Sequence, residues 1–228
     1  MKVSSGVKSK MRKRINTVKF IAFFGPDGAG KTTQATLLRK YFKRRGYRVY
    51  QVHIRSQHTL AFILSKLLMK LGYQRIIPNP YGIGGPGFYF KVRGFSQKVW
   101  CLIEFISVIP LLLFKVYLPL ALGYLVIAER YVIDTIVTIA YSLGDPNILS
   151  LGVMKMLLRF IPKYSLIIYL DADYNSILSR RKWAHNKQFI DFQRKYYSLL
   201  ARALNIPVIN TSKASPIETH LTILELIS

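Results

Sequence analysis

The stretch Gly25-Pro26-Asp27-Gly28-Ala29-Gly30-Lys31-Thr32 constrains this chain more than any other. It joins two segments of different periodicity. Before it, residues 17–24 (TVKFIAFF) form a β-rich apolar run. After it, residues 31–45 place Leu37, Leu38, Tyr41 and Phe42 at helical spacing and stop at Gly46. Glycines between a strand and a helix let the backbone curl so that successive N–H groups converge on one place, which the positive end of the helix also faces. That place suits a phosphate. The eight residues match the P-loop pattern in full, with Lys31 reaching the β- and γ-phosphates of a nucleotide and the Thr32 hydroxyl as a ligand of Mg²⁺. Gly25, Asp27, Gly28, Ala29, Gly30, Lys31, Thr32 and the adjoining Thr33 are therefore the expected nucleotide-binding residues.

Strand and helix signals go on alternating. Residues 47–54 (YRVYQVHI) read as a strand, and 59–71 as a helix with Leu60, Ile63, Leu64, Leu67 and Leu68 on its apolar face. Residues 78–87 (PNPYGIGGPG) are the densest Pro/Gly segment and read as a loop. From Phe95 to about Leu122 the pattern is helical, with bends expected near Pro110 and Pro119. A strand over 124–128, a helix around 134–143, a turn at 144–147, a helix to 161 and a strand over 165–170 follow. Helices near 174–181 and 188–204 bracket a polar stretch, and 206–209 is a last short strand. Ser215-Pro216-Ile217-Glu218 is a capping box with proline at the first helical position, so a final helix runs to about 227. This order predicts an α/β protein with a parallel sheet covered by helices on both faces. Residues 1–16 are expected to be a flexible basic arm, and 17–228 a single domain.

Charge narrows the partners. Thirty-four Lys and Arg against ten Asp and Glu give a formal charge of +24. Such a field attracts polyanions: nucleotides, nucleic acids or an anionic membrane surface. The scarcity of acids makes each one informative, and Asp27, Glu129, Asp134, Asp171 and Asp173 all fall at or beside motifs. Cys101, the one cysteine, has no internal disulfide partner and reads as a core thiol in a reducing, cytoplasmic setting. The first nineteen residues hold seven Lys or Arg and no acid, without the apolar stretch of a secretory signal. Residues 105–128 are almost wholly apolar and long enough to cross a bilayer. Glu104 at their edge and Lys115 near their middle, the latter costing about 3 kcal/mol inside a membrane, favour a buried helix followed by a short buried strand. The four histidines, His53, His58, His185 and His220, show no metal-ligand spacing.

The string GPDGAGKTTQ at residues 25–34 resembles the opening motif of the thymidylate kinase family of nucleoside-monophosphate kinases. That resemblance implies a P-loop NTPase fold with a short lid, and it extends from about residue 17 to 227. It implies that Asp27, the acid inside the loop, faces the acceptor nucleotide. Glu129-Arg130-Tyr131, at the end of the 124–128 strand, resembles the family's Asp-Arg-Tyr. By that likeness Arg130 binds the acceptor phosphate with Tyr131 beside it, and Glu129 orders the water shell of the metal. Arginine suits a phosphate that must be oriented, because its fork donates two parallel hydrogen bonds. Glutamate in place of aspartate also resembles the deoxynucleoside kinases, whose acceptor is a sugar hydroxyl. Asp134 either supports this site or serves as an ordinary helix cap. Residues 166–173 (LIIYLDAD) resemble the strand and turn common to nucleotide kinases, with Asp171 and Asp173 as strand end and helix cap. Ser179-Arg180-Arg181-Lys182 resembles the lid, which implies that Arg180 and Arg181 bring positive charge to the transferring phosphoryl group. Arg55 is carried over as a second acceptor-phosphate arginine, without the proline usual beside it. Phe95 or Tyr89 stacking on a base, with Arg93 donating to it, would make the base pocket.

The activity implied by this resemblance is transfer of the γ-phosphoryl group of ATP, with Mg²⁺, to a nucleoside monophosphate, above all dTMP to dTDP. Lys31, Arg130, Arg180 and Arg181 are the expected catalytic residues. Two other readings stay open from the residues themselves. One is a kinase with a different acceptor, either a deoxynucleoside or a lipid-linked alcohol at a membrane surface, the latter suiting the apolar middle and the basic arm. The other is a nucleotide-dependent module that binds RNA or DNA through its basic surface. A homodimer through the apolar stretch 105–122 is a further expectation.

Overall fold

The computed structural model describes residues 18–54, 60–71, 75–77, 87–89, 94–180 and 187–228. The N-terminal arm, Arg55, Arg93, Arg181 and residues 78–86 of the Pro/Gly loop lie outside the described residues, and Tyr89 is described through its backbone alone.

The sheet is built around β1 (Phe20–Phe24), which is apolar at every position and buried throughout. Phe20, Ala22 and Phe24 face one core, and Ile21 and Phe23 face the other. A strand covered on both sides has no polar face to present, which is why its sequence is a continuous apolar run. β5 (Leu125–Ala128) lies parallel to it on one side, with Ile21 opposite Ile127, and β6 (Ser165–Asp171) on the other, with Ala22 opposite Ile167. β2 (Val49–Val52) and β7 (Val208–Asn210) complete five parallel strands in the order β2-β5-β1-β6-β7. Both edge strands are partly exposed.

Helices cover both faces. On one side α1 (Lys31–Lys43) and the C-terminal α9 (Pro216–Ile227) contribute Leu38, Phe42, Ile223 and Ile227. On the other, α3 (Phe95–Leu112), α5 (Val132–Leu143) and α8 (Lys187–Ala203) contribute Trp100, Leu112, Ile136 and Tyr197. Each fully buried Leu, Ile or Phe contributes about 1.5–3 kcal/mol. These two cores hold the carboxyl ends of β1, β5 and β6 at fixed spacing, and the site forms at those ends. The remaining described helices are α2 (Leu60–Lys70), α4 (Leu118–Ala121), α6 (Gly152–Leu158) and α7 (Tyr174–Arg180). The capping box at Ser215 is realised: its hydroxyl accepts from the Glu218 N–H at 3.2 Å, and its own N–H donates to Glu218 Oε2 at 2.8 Å.

Three local features add detail that the sequence reading lacked. A short antiparallel pair, β3 (Arg75–Ile77) with β4 (Gly87–Tyr89), flanks the Pro/Gly segment and was not foreseen, because three-residue strands carry no readable periodicity. The helix runs on through Pro110, and beside Pro119 it widens into a π turn, Leu113–Tyr117. The proline ring would clash with the carbonyl four residues earlier, at Lys115, and the wide turn makes room for it. The segment to 161 divides into a 3₁₀ turn, Pro146–Ser150, and α6.

Among the described residues, Phe95–Ala121 is the one helical stretch whose length and composition would let it cross a membrane. Here one side of it, including Trp100, Phe105, Val108, Leu112 and Val116, is buried in the core, and the chain passes from its end into β5. The expected helix followed by a buried strand is thus present, with the helix covered on one face only. Cys101 is fully buried. Burial, assisted by Glu104 and Asp145, pushes its thiol up to about 12, so it is an inert core group.

Candidate active site

β1 ends at Phe24, and the glycine loop turns against β6 and α7. Gly25 has φ +141, and a Cβ there would lie 2.0 Å from the carbonyl oxygen of Leu170. At Gly28 a Cβ would lie 2.9 Å from Ile177 Cγ2. The loop packs this closely only because neither residue has a side chain. Gly30, preceding α1, offers no side-chain cap, and no acid stands in the first turn. The start of α1 is the positive end of the helix, where an anion is favoured.

This end of the helix borders a cavity of about 740 Å³, within the range that holds a small ligand. It is lined by the loop from Asp27 to Gln34, by His53, Arg130, Arg180 and Thr211, and by the start of α9. Lys31 is buried, and its Nζ donates to the carbonyls of Gly25 at 2.6 Å and Pro26 at 2.7 Å. The same ammonium lies 3.9 Å from Asp27 Oδ1. Arg130 reaches the loop from the tip of β5: its NH2 contacts the Asp27 carboxylate directly, and its NH1 donates to Asp134 Oδ1 at 3.1 Å. Asp27, Lys31, Arg130 and Asp134 are all buried, and their formal charges cancel. Buried charges are tolerable only in such pairings.

The Arg130 backbone has φ +145, a region unfavourable to any residue with a side chain. Such a conformation costs about 1–3 kcal/mol and persists where its surroundings fix it. Here the Arg130 carbonyl accepts from the Ile54 N–H at 3.3 Å, beyond the tip of β2. On the opposite side, Arg180 at the end of α7 donates to Thr211 Oγ1 at 3.1 Å and contacts the carbonyls of Thr211 and Ser212. The Thr211 hydroxyl lies 3.2 Å from the Ala29 carbonyl, so Arg180 is tied to the loop through one side chain.

The structure thus gathers Asp27, Gly28, Ala29, Gly30, Lys31, Thr32, Thr33, Arg130 and Arg180 around one cavity, while Gly25 does not line it and packs against Leu170 at the start of the loop. It does not bring in three of the other expected residues. Tyr131 is a core residue: it is buried, its ring packs on Phe20 at 4.8 Å, and its hydroxyl donates to the Phe160 carbonyl at 2.6 Å. Its position at the start of α5 turns it away from the acceptor side. Glu129 accepts from Gln51 Nε2 at 3.2 Å and does not line the cavity, so the longer side chain is held toward β2. Phe95 stands 80% exposed at the head of α3, away from the cavity. Asp171 and Asp173 are engaged structurally, as expected. Burial alone would raise the Asp171 pKa, but hydrogen bonds from Arg194 at 2.9 Å and from Tyr169 outweigh it and hold the carboxyl below its ordinary range. Asp173 caps α7 by accepting from the Ser176 N–H at 2.8 Å, and that bond, with those from the Ser212 and Ser176 side chains, lowers its pKa to about 2.

His53, Thr211 and Tyr197 were missed by sequence reasoning. His53 and Thr211 had only their places just past β2 and β7 to mark them, and Tyr197 looked like one more apolar position of α8. The donor set suits nucleotide phosphates with a hard cation. Thr32 offers a hydroxyl oxygen at the cavity, and no group of three or more His, Cys, Asp or Glu is present among the described residues. Mg²⁺ in phosphate sites is held in this way, by one or two protein oxygens, substrate phosphates and water.

A parallel sheet with a glycine loop at the end of its central strand, a lysine in that loop and an arginine beside it in the same cavity defines a P-loop kinase-like protein. No family model matches the chain. The thymidylate kinase of Wolbachia sp. subsp. Brugia malayi is 30% identical over 182 residues, covering 77% of this chain and 76% of that protein. The thymidylate kinase of Caldicellulosiruptor saccharolyticus is 28% identical over 188 residues, covering 79% and 80%. In fold, the chain is similar to the solved thymidylate kinase of Candida albicans, with a TM-score of 0.60 at 19% identity over 92% of this chain and 91% of that one. The chain belongs to the thymidylate kinase family.

Proposed function

We propose that this protein transfers the γ-phosphoryl group of ATP to dTMP, giving ADP and dTDP. The observation that carries this reading is that Arg130 and Lys31 line one cavity beside each other, both set against the carboxylate of Asp27 in the loop. One cation serves the donor phosphates and the other a second anion. An arginine fork suits an acceptor that is itself a phosphate.

The leading amides of α1 hold the β-phosphate. Lys31 exchanges its two loop carbonyls for β- and γ-phosphate oxygens and neutralises charge as it moves from donor to product. Mg²⁺ held at the Thr32 hydroxyl supplies further positive charge to the β- and γ-phosphates when bound. Arg130 orients the acceptor phosphate so that one of its oxygens lies in line with the γ-phosphorus. The new bond joins that oxygen to the γ-phosphorus, the bond to the β,γ-bridging oxygen breaks, and ADP leaves with the electron pair. The acceptor oxygen is already anionic, so no strong general base is needed. Arg180, which lines the cavity, is assigned as the lid cation by family likeness, as are Arg181 as its neighbour and Arg55 as an acceptor-phosphate residue. Thr32 takes the metal role without Glu129, whose carboxylate is turned to Gln51. Cys101 as an unpaired core thiol suits a cytoplasmic enzyme.

The test is an acceptor panel with ATP–Mg²⁺: dTMP, dUMP, other monophosphates, deoxythymidine and no acceptor. dTMP should be consumed preferentially and deoxythymidine left unchanged. Turnover of deoxythymidine or of a lipid alcohol in place of dTMP would overturn the reading.

A homodimer belongs to the same proposal. Phe95, Val99, Leu102, Ile106, Leu113 and Phe114 are exposed, and their spacing runs mainly along one face of the long helix. A stripe of this kind is self-complementary about a two-fold axis, where each copy covers the other's. Ile106→Glu should shift the protein from dimer to monomer mass in light scattering. An unchanged mass would remove this face from the interface.

A further inference from the structure

We infer that Asp134 and Tyr197 are positioning residues for acceptor-phosphate binding, acting through Arg130. This rests on the assignment of Arg130 to the acceptor phosphate. Asp134 is fully buried, and its two oxygens are divided between two tasks. Oδ2 accepts from the Tyr131 N–H at 3.3 Å, which is the cap of α5. Oδ1 is not needed for the cap. It accepts from Arg130 NH1 at 3.1 Å and from the Tyr197 hydroxyl at 3.0 Å. Tyr197 is itself fixed, fully buried on α8 with its ring 5.5 Å from Phe24 and 6.0 Å from Tyr169.

The geometry explains why Arg130 needs a second carboxylate. Asp27 lies on the cavity side and competes with an incoming phosphate for the guanidinium. Asp134 holds the fork by its other nitrogen, from behind. When Asp27 gives way to the acceptor phosphate, NH1 stays anchored and the remaining donors stay aimed into the cavity. Tyr197 fills the second lone pair of Oδ1 and stops the carboxylate from turning. A planar donor loses specificity when either of its edges is free to swing, so the anchor acts on binding of the phosphate group and not of the nucleoside.

Asp134→Asn separates the two tasks, because the amide oxygen can keep the α5 cap while the negative charge behind Arg130 is lost. Tyr197→Phe removes one hydroxyl and leaves the ring packing. Binding of dTMP and of deoxythymidine to each protein is measured by titration calorimetry, together with KM values for dTMP and ATP. Asp134→Asn should weaken dTMP about tenfold or more, in line with losing the charge behind Arg130, and Tyr197→Phe about threefold to tenfold, because it loosens the carboxylate without removing it. Deoxythymidine affinity and the KM for ATP should stay within error of wild type. Parallel weakening of dTMP and deoxythymidine, or unchanged dTMP binding with a lower melting temperature, would reduce both residues to structural ones and overturn the proposal. A wild-type protein that does not prefer dTMP to deoxythymidine would overturn the assignment of Arg130 as well, whereas a wild-type preference kept by both variants sinks this inference alone. Should Asp134→Asn fail to fold, Tyr197→Phe decides the matter.

Discussion

Arg130→Ala is expected to be inactive toward dTMP at saturating ATP and to be destabilised by about 3–5 kcal/mol in urea unfolding. The stability loss arises because Arg130 is the cation shared by two carboxylates, Asp27 and Asp134, that are 2% and 0% exposed. The loss of activity arises because the acceptor phosphate loses its fork. Two companion variants separate these effects. Arg130→Lys keeps a charge but not the planar pair of donors, so it should recover stability before activity. Arg130→Gly removes the same side chain as alanine but adopts φ +145 without penalty, so it should be more stable than the alanine variant by about 1–3 kcal/mol and equally inactive. An alanine variant as stable as wild type would mean that the buried charge cluster is not held by Arg130.

Lys31→Ala should lower kcat about 10²–10³-fold while the protein stays folded. The lysine belongs to the loop itself, and transfer of a phosphoryl group depends mainly on charge neutralisation and alignment. Lys31→Met keeps the aliphatic stem in its buried setting and should lose as much activity as alanine. That equality assigns the effect to the ammonium and not to packing. A methionine variant with near-wild-type kcat would take Lys31 out of the chemistry.

Much of the site was legible because it is local in sequence. The loop at 25–32 carries its own glycines, lysine and threonine, and its flanking strand and helix follow from periodicity. Arg130 came from a motif at the end of a buried strand. What remained hidden depends on tertiary geometry. Tyr131 sits beside Arg130 in sequence, but the turn into α5 sends it to the core, and no pattern of residue types announces that turn. Glu129 looked like a metal-site acid until its partner, Gln51 of β2, was in place. Thr211 joins Arg180 to the loop over a separation of 182 residues from Ala29, a distance no local signal spans. Tyr197 reads in sequence as an ordinary position of an amphipathic helix, and only folding brings its hydroxyl to Asp134. The sheet order was likewise beyond the sequence, although alternation of strands and helices was enough for its parallel sense. The β3–β4 pair was too short to see.

The most direct test of the dTMP kinase reading is phosphorus NMR of the wild-type protein mixed with ATP, Mg²⁺ and dTMP. The expected spectrum shows dTDP and ADP growing in equal amounts as ATP and dTMP decline, without inorganic phosphate. Inorganic phosphate appearing with ADP while dTMP persists would mean that water, not dTMP, receives the phosphoryl group, and would contradict the assignment of this cavity to a nucleoside-monophosphate acceptor.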